Sequence, residues 1–147
     1  MKGYKNILVA VDFSEAGENA VKMADTLAGC FGASLTILYV IEHFPEDMPV
    51  SVIPPEDVDP QKFLTDRASS YLEKLSARIG QPSAVLEVVV STHSASREIV
   101  QYAQGHGVDL IVVGSHGKHG IQGMLGSTAT SVMHAASVDV LVVHPTE

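Results

Sequence analysis

Cysteine occurs once in the 147 residues, at Cys30, and tryptophan is absent. A lone thiol forms no internal disulfide and lacks the spacing of a metal or redox motif, so Cys30 is read as a small core residue. Cations are scarce as well: nine Lys and Arg stand against seventeen Asp and Glu, a formal net charge of −8. That balance leaves no electrostatic footprint for a phosphate backbone or an anionic bilayer, so neither nucleic acid nor a membrane surface is expected as a partner. Long apolar runs are missing too. Stretches such as Leu110–Val113 and Val140–Val143 fall far short of the roughly 20 residues that a membrane helix needs. Met1-Lys2-Gly3-Tyr4-Lys5-Asn6 runs straight into Ile7-Leu8-Val9-Ala10-Val11, too short for a secretory signal with its cleavage site, and a cytoplasmic location is expected.

What is present alternates. At 46% hydrophobic and 18% charged, a chain of this length suits one domain, residues 1–147. Lys5–Val11 is a β-branched run ending at Asp12, long enough for a strand buried on both faces and too short for a helix. Ser14 caps the helix expected next, with Ala20, Met23, Ala24, Leu27 and Phe31 on its inner face and Gly32 as its stop. Ala33–Val40 reads as a second strand. Five of the seven prolines, Pro45, Pro49, Pro54, Pro55 and Pro60, then fall between Glu42 and Gln61 and mark a long loop. Asp59-Pro60 opens a second helix carrying Leu64, Ala68, Tyr71, Leu72, Leu75 and Ile79 on one face, up to Gly80. Ala84–Val90 is a third strand, about 94–104 a third helix with Ile99, Val100 and Ala103 inward, and Asp109–Val113 a fourth strand. A fourth helix over about 127–136 and a fifth strand, Val138–His144, complete the order β-α-β-α-β-α-β-α-β. That alternation predicts an α/β fold: an open, doubly wound, mostly parallel sheet with helices on both faces.

In such sheets ligands bind beyond the carboxyl ends of the strands. After Val113 the chain reads Gly114-Ser115-His116-Gly117-Lys118-His119-Gly120-Ile121-Gln122-Gly123-Met124-Leu125-Gly126-Ser127-Thr128, which puts five of the twelve glycines into thirteen residues. Closely spaced glycines let successive amides turn inward on an anion, and the helix that follows adds its N-terminal amides and the hydroxyls of Ser127 and Thr128. Lys118 is the only Lys or Arg after Arg97, and it lies inside this loop. A phosphate group fits these features. The loop is not Gly-x-x-x-x-Gly-Lys-Ser/Thr, and the turn after the first strand, Asp12-Phe13-Ser14-Glu15, lacks Gly-x-Gly-x-x-Gly, so neither a P-loop nor a dinucleotide fingerprint is present. Asp12 either orients a ribose, an adenine or a metal, or merely caps the first helix. His116 and His119 are candidates for phosphate contact; their spacing is weak for a metal pair, and no metal ligand set is expected. No Gly-x-Ser-x-Gly elbow or His-Glu-x-x-His motif occurs, and no catalytic set stands out.

Three stretches resemble the universal stress protein family: Lys5-Asn6-Ile7-Leu8-Val9-Ala10-Val11-Asp12-Phe13-Ser14, then Leu38-Tyr39-Val40, then Asp109 through Gly114-Ser115-His116-Gly117 and Gly126-Ser127 to Val143. Members that bind ATP carry Gly-x-x-Gly, nine residues, then Gly-Ser/Thr; here eight residues, Lys118–Leu125, separate Gly117 from Gly126. The resemblance implies the nucleotide-binding branch and a five-stranded sheet of order 3-2-1-4-5, with Asp12 opposite the glycine loop. It also implies that Asp12 and Val40 contact adenine or ribose, that Val113 and Gly114 line the base or ribose, and that Gly117, Gly126, Ser127 and Thr128 hold phosphates. Charge placement adds Lys118, and loop position adds His116. ATP with Mg²⁺ or Mn²⁺ is the implied ligand. The apolar fifth strand, Val138–His144, is an edge in that order and edges of this kind are usually paired, so a homodimer through it is expected. The function implied is a nucleotide-dependent regulator or sensor in stress survival, with binding more important than turnover. The alternatives are a dimeric interaction module of the same fold that does not use ATP, and a slow ATP hydrolase.

Overall fold

A computed structural model describes residues 3–42, 57, 59–81, 83–116 and 125–145. The elements are β1 (Asn6–Val11), α1 (Glu15–Phe31), β2 (Ser34–Glu42), α2 (Pro60–Ser76), β3 (Val85–Ser91), α3 (Ala95–Gly105), β4 (Leu110–Gly114), α4 (Ser127–Ala135) and β5 (Asp139–Val143). Local chemistry sets the helix ends. The Ser14 hydroxyl accepts the Gly17 amide, an Asp59 carboxylate oxygen accepts that of Gln61, and Ser94 accepts that of Arg97. Gly32 ends α1 in the left-handed region at φ 64°, a conformation that a side chain would strain.

The five strands form one parallel sheet, ordered β3-β2-β1-β4-β5. Because successive side chains point to opposite faces, each apolar strand feeds two cores. Ile7, Val9, Val11, Leu35, Ile37 and Val112 pack under α1 and α2 against Ala20, Ala24, Ala28, Leu72 and Leu75. Leu8, Leu38, Ile111 and Val113 pack on the other face against Ile99, Val100, Ala103, Ala129 and Val132 of α3 and α4. The doubly wound architecture and its order agree with the expectation from sequence.

Details differ where small residues compete with large ones. Met23 and Phe31 are each 41% exposed, while Ala16, Gly17, Ala20, Val21, Ala24 and Ala28 form the buried face of α1. Small side chains let α1 lie close on the sheet, which rotates the larger ones to its flank; Phe31 there meets Tyr4 edge-on at 5.4 Å. Cys30 is exposed rather than a core residue, since it lies about 200° around the helix from Ala28. β2 runs two residues past its expected end. Val40 is therefore inside the strand, paired with Val89, and Glu42 reaches α3, where Oε1 accepts the Ala95 amide at 2.9 Å.

Candidate functional site

From β1 the chain winds outward through β2 and β3 and then returns to β4 on the other side of β1. The loops leaving β1 and β4 diverge there and open a crevice at the carboxyl ends of these two neighbours, the place where doubly wound sheets hold ligands. Asp12 follows β1, and Gly114 closes β4 at the entry of the glycine-rich loop.

Two of the glycines are demanded by close approach. A Cβ on Gly114 would stand 2.9 Å from both the carbonyl carbon and the Cβ of Ala16, so glycine lets β4 run against the first turn of α1. A Cβ on Gly126 would stand 2.9 Å from the His116 Cα. The two ends of the loop are thereby clasped, with the Gly126 amide donating to the Ser115 carbonyl at 2.6 Å and the Ser115 amide donating to the Val143 carbonyl at 2.8 Å. Ser115 is fully buried, and its Oγ lies 3.2 Å from His116 Nδ1.

The start of α4 differs from the other three helix starts. On α1, α2 and α3 a side chain caps the first turn, and Glu42 also occupies the α3 amide of Ala95. α4 has Gly126 at its cap, no side-chain cap bond among the described residues and no acid in its first turn. Its leading amides and the positive end of its dipole therefore face the crevice with no carboxylate beside them among the described residues. Ser127 and Thr128, both exposed, stand at this end. By contrast Glu15 and Glu18 lie in the first turn of α1, beside Asp12. The crevice has a donor end at α4 and an acidic end at α1.

Asp12 Oδ1 accepts the Ser14 amide at 2.9 Å, a turn one step ahead of the helix, whose cap is Ser14 itself. Gly17 makes room for it, because a Cβ there would come within 3.2 Å of the same oxygen. The Asp12 charge also reaches two tyrosines. Burial pushes the Tyr39 hydroxyl up to about 12, with Asp12 adding to the rise and Arg67 opposing it. Tyr71 is raised by burial first, then by Glu18 and Asp12. Val40 lies level with Asp12 on the next strand, given the pairing Val11↔Tyr39. Val113 is 3% exposed as a residue, and its side chain packs in the α3–α4 core.

Asp12, Val113, Gly114, His116, Gly126, Ser127 and Thr128 thus gather at one end of β1 and β4, with Val40 one strand away. Gly117 and Lys118, assigned to phosphate from sequence, lie outside the described residues, as does His119. Sequence reasoning missed Ala16 and Gly17, whose small size seats α1 against both loops; the signal was their place directly after the Ser14 cap. It also missed the group of Phe13, Tyr39, Arg67 and Tyr71 beside Asp12, which comes together from three distant segments. Among the described residues no three His, Cys, Asp or Glu side chains form a metal-binding group, and no helix is long and apolar enough to cross a membrane. A cavity of about 340 Å³ between α2 and β3, lined by Thr65, Ser69, Leu72, Glu73, Leu86 and Val88, lies at the far edge of the sheet.

The universal stress protein family matches residues 3–144 of this sequence. The chain belongs to that family. As a universal stress protein it carries the family's stress-response fold, and its relatives agree along the full length. Universal stress protein A homolog 2 of Coxiella burnetii is 33% identical over 144 residues, covering 97% of each chain. The structure of universal stress protein UspA from Lactobacillus plantarum superposes with a TM-score of 0.76 at 28% identity, over 97% of this chain and 99% of that one. A universal stress protein solved in complex with cAMP shares the fold at a TM-score of 0.68 and 24% identity, over 99% of this chain and 100% of its own.

Proposed function

We propose that this universal stress protein binds an adenine nucleotide, ATP with Mg²⁺ or Mn²⁺, in the crevice between β1 and β4, and acts as a nucleotide-dependent regulator or sensor. The observation that carries the reading is the start of α4, which sits at the end of a five-glycine loop and has no side-chain cap among the described residues. That donor set suits phosphate oxygens: leading amides with no side-chain acceptor among the described residues, and the hydroxyls of Ser127 and Thr128. Gly126, Ser127 and Thr128 hold phosphates there, with Gly117, Lys118 and His116 from the loop. The acidic end at Asp12 repels phosphate and accepts hydrogen bonds, so the ribose and base lie toward Asp12, Val40, Val113 and Gly114. The divalent ion supplies charge neutralisation for the phosphates. The cAMP complex of a protein with this fold supports the choice of adenine.

The protein is a single domain over residues 1–147, cytoplasmic, and pairs with a second copy through Val138–His144. β5 ends the sheet with four half-buried apolar residues and one acid, Asp139, and an edge of that composition is usually covered. The same apolar edge is what favours the competing reading, an interaction module that does not use ATP.

Calorimetric titration with ATP and Mg²⁺, beside AMP and GTP, tests the reading. Micromolar ATP affinity that falls in Lys118→Ala is expected. Absence of heat with every nucleotide would overturn nucleotide binding and leave the interaction module.

A further inference from the structure

Asp12 is joined directly to Phe13, and the Phe13 ring is gripped by residues far away in sequence. Its centroid lies 5.0 Å from that of Tyr39 on β2 and 4.5 Å from that of Tyr71 on α2, both tilted. The Arg67 guanidinium carbon stands 5.3 Å from the same centroid. Arg67 and Tyr71 are one helical turn apart, so a single face of α2 supplies both contacts. Tyr71 in turn points its hydroxyl at Glu18 Oε1 of α1, 3.5 Å away.

The grip has a consequence for the neighbouring carboxylate. Phe13 stands between Asp12 and Ser14, the two residues closed into a turn by the bond from the Ser14 amide to Asp12 Oδ1. Whatever holds the Phe13 ring holds the backbone of that turn, and with it the direction of the second Asp12 oxygen. Ser14 and Gly17 hold one side of the turn, at the α1 cap; on the other side the ring's partners come from β2 and α2. α2 is itself anchored independently, through buried Ala68, Leu72 and Leu75. The stack therefore transmits the position of α2 to the acidic end of the crevice. A guanidinium is suited to this place, because it lies flat on an aromatic face and keeps its charge at any ordinary pH.

We propose that Arg67 and Tyr71 of α2 act through Phe13 as positioning residues for Asp12, setting the base-and-ribose end of the nucleotide crevice. The inference rests on the adenine-nucleotide reading and deepens it. Neither side chain touches the ligand. Their effect falls on the part common to adenosine, AMP and ATP, whereas a defect at α4 falls on the phosphates alone.

The test is calorimetric titration of the full chain with adenosine, with AMP and with ATP plus Mg²⁺, accompanied by thermal denaturation of each variant. Arg67→Met keeps an unbranched apolar stem beside the ring and removes the planar cation. It is expected to weaken all three ligands by a common factor of about five to ten, since an aimed carboxylate loses its set when its support loosens. Arg67→Lys, which restores charge over the ring, recovers part of the loss. Tyr71→Ala, which takes the second ring out of the stack, is expected to weaken all three ligands in the same way. Ser70→Ala, exposed on the same helix, leaves binding unchanged. Wild-type affinity for all three ligands in Arg67→Met would overturn the proposal, as would a loss confined to ATP, which would make Arg67 a phosphate contact. Loss of binding that Arg67→Lys does not recover at all, together with a matching fall in melting temperature, would reduce the stack to a structural role. Wild type that binds none of the three refutes the nucleotide reading itself, and the positioning role with it.

Discussion

Replacing Gly114 by alanine tests whether the approach of β4 to α1 is what demands glycine at the root of the loop. The new methyl would sit 2.9 Å from the Ala16 carbonyl carbon, 2.9 Å from its Cβ and 3.1 Å from its carbonyl oxygen. Ordinary contacts of this kind begin near 3.4 Å, so β4 and α1 must part by roughly half an ångström. Neither can move freely. β4 is hydrogen-bonded on both sides, by β1 and β5, and the next residue of α1, Gly17, already lies so close to Asp12 that a Cβ there would stand 3.2 Å from Oδ1 and 3.3 Å from the amide nitrogen. Overpacking against backbone typically costs about 1–3 kcal/mol. For a domain of this size each kcal/mol lowers the midpoint by about 3 °C, so Gly114→Ala should melt about 3–9 °C below wild type. Thermal denaturation followed by circular dichroism reads this directly, with Gly105→Ala as the control. A Cβ there meets nothing within 4 Å, and its midpoint should hold or rise slightly, since alanine restricts the unfolded chain more than glycine does. Gly114→Ala melting within about 1 °C of wild type would refute the argument, because a displacement that large cannot be free of cost.

Leu72→Ala removes a fully buried side chain from the core under α1 and α2, and should cost about 2–5 kcal/mol in urea denaturation, with the slope unchanged. Ser14→Ala removes the hydroxyl that accepts the Gly17 amide at 3.1 Å in a buried position, an expected loss of about 1 kcal/mol by the same measurement; Ser14→Gly should lose less. Tyr39 links stability to alkaline pH. Its folded-state value is raised from 10.0 to about 12, so the protein keeps this contribution below pH 10 and loses it as pH rises through 12. The stability of Tyr39→Phe, followed from pH 9 upward, should therefore fall less steeply than that of wild type; equal slopes would contradict the assignment.

Much of this fold is written in short-range pattern. Two-residue alternation in Ile7–Val11 and Leu110–Val113 serves two faces at once, and that needs a sheet covered on both sides. Ser14, Asp59-Pro60 and Ser94 mark helix starts because capping is a contact over two or three residues. The crowding of glycines after Val113 and the isolation of Lys118 point to an anion without reference to any distant residue. Strand order was of another kind: alternation implies a parallel sheet, and the order came from resemblance to a family.

Tertiary structure alone decided what depends on distances between segments far apart in the chain. Periodicity places Met23 and Phe31 near the inner face of α1, yet the close seating allowed by Ala16, Gly17, Ala20 and Ala24 turned that face and left both 41% exposed. No local rule foretells that Gly114 must be glycine because of Ala16, 98 positions earlier in the numbering, or that α4 starts with no side-chain cap among the described residues while α3 receives a second one from Glu42 of β2. The stack of Arg67, Tyr71 and Tyr39 on Phe13 is the clearest instance. Its members lie on β2, α2 and the turn after β1, and only the packing of α2 over β2 and β3 brings them to the residue next to Asp12. Sequence determined which groups could serve a ligand, through residue type and near-neighbour spacing; packing determined which of them meet, because that is settled by the volumes of side chains that have no part in the chemistry.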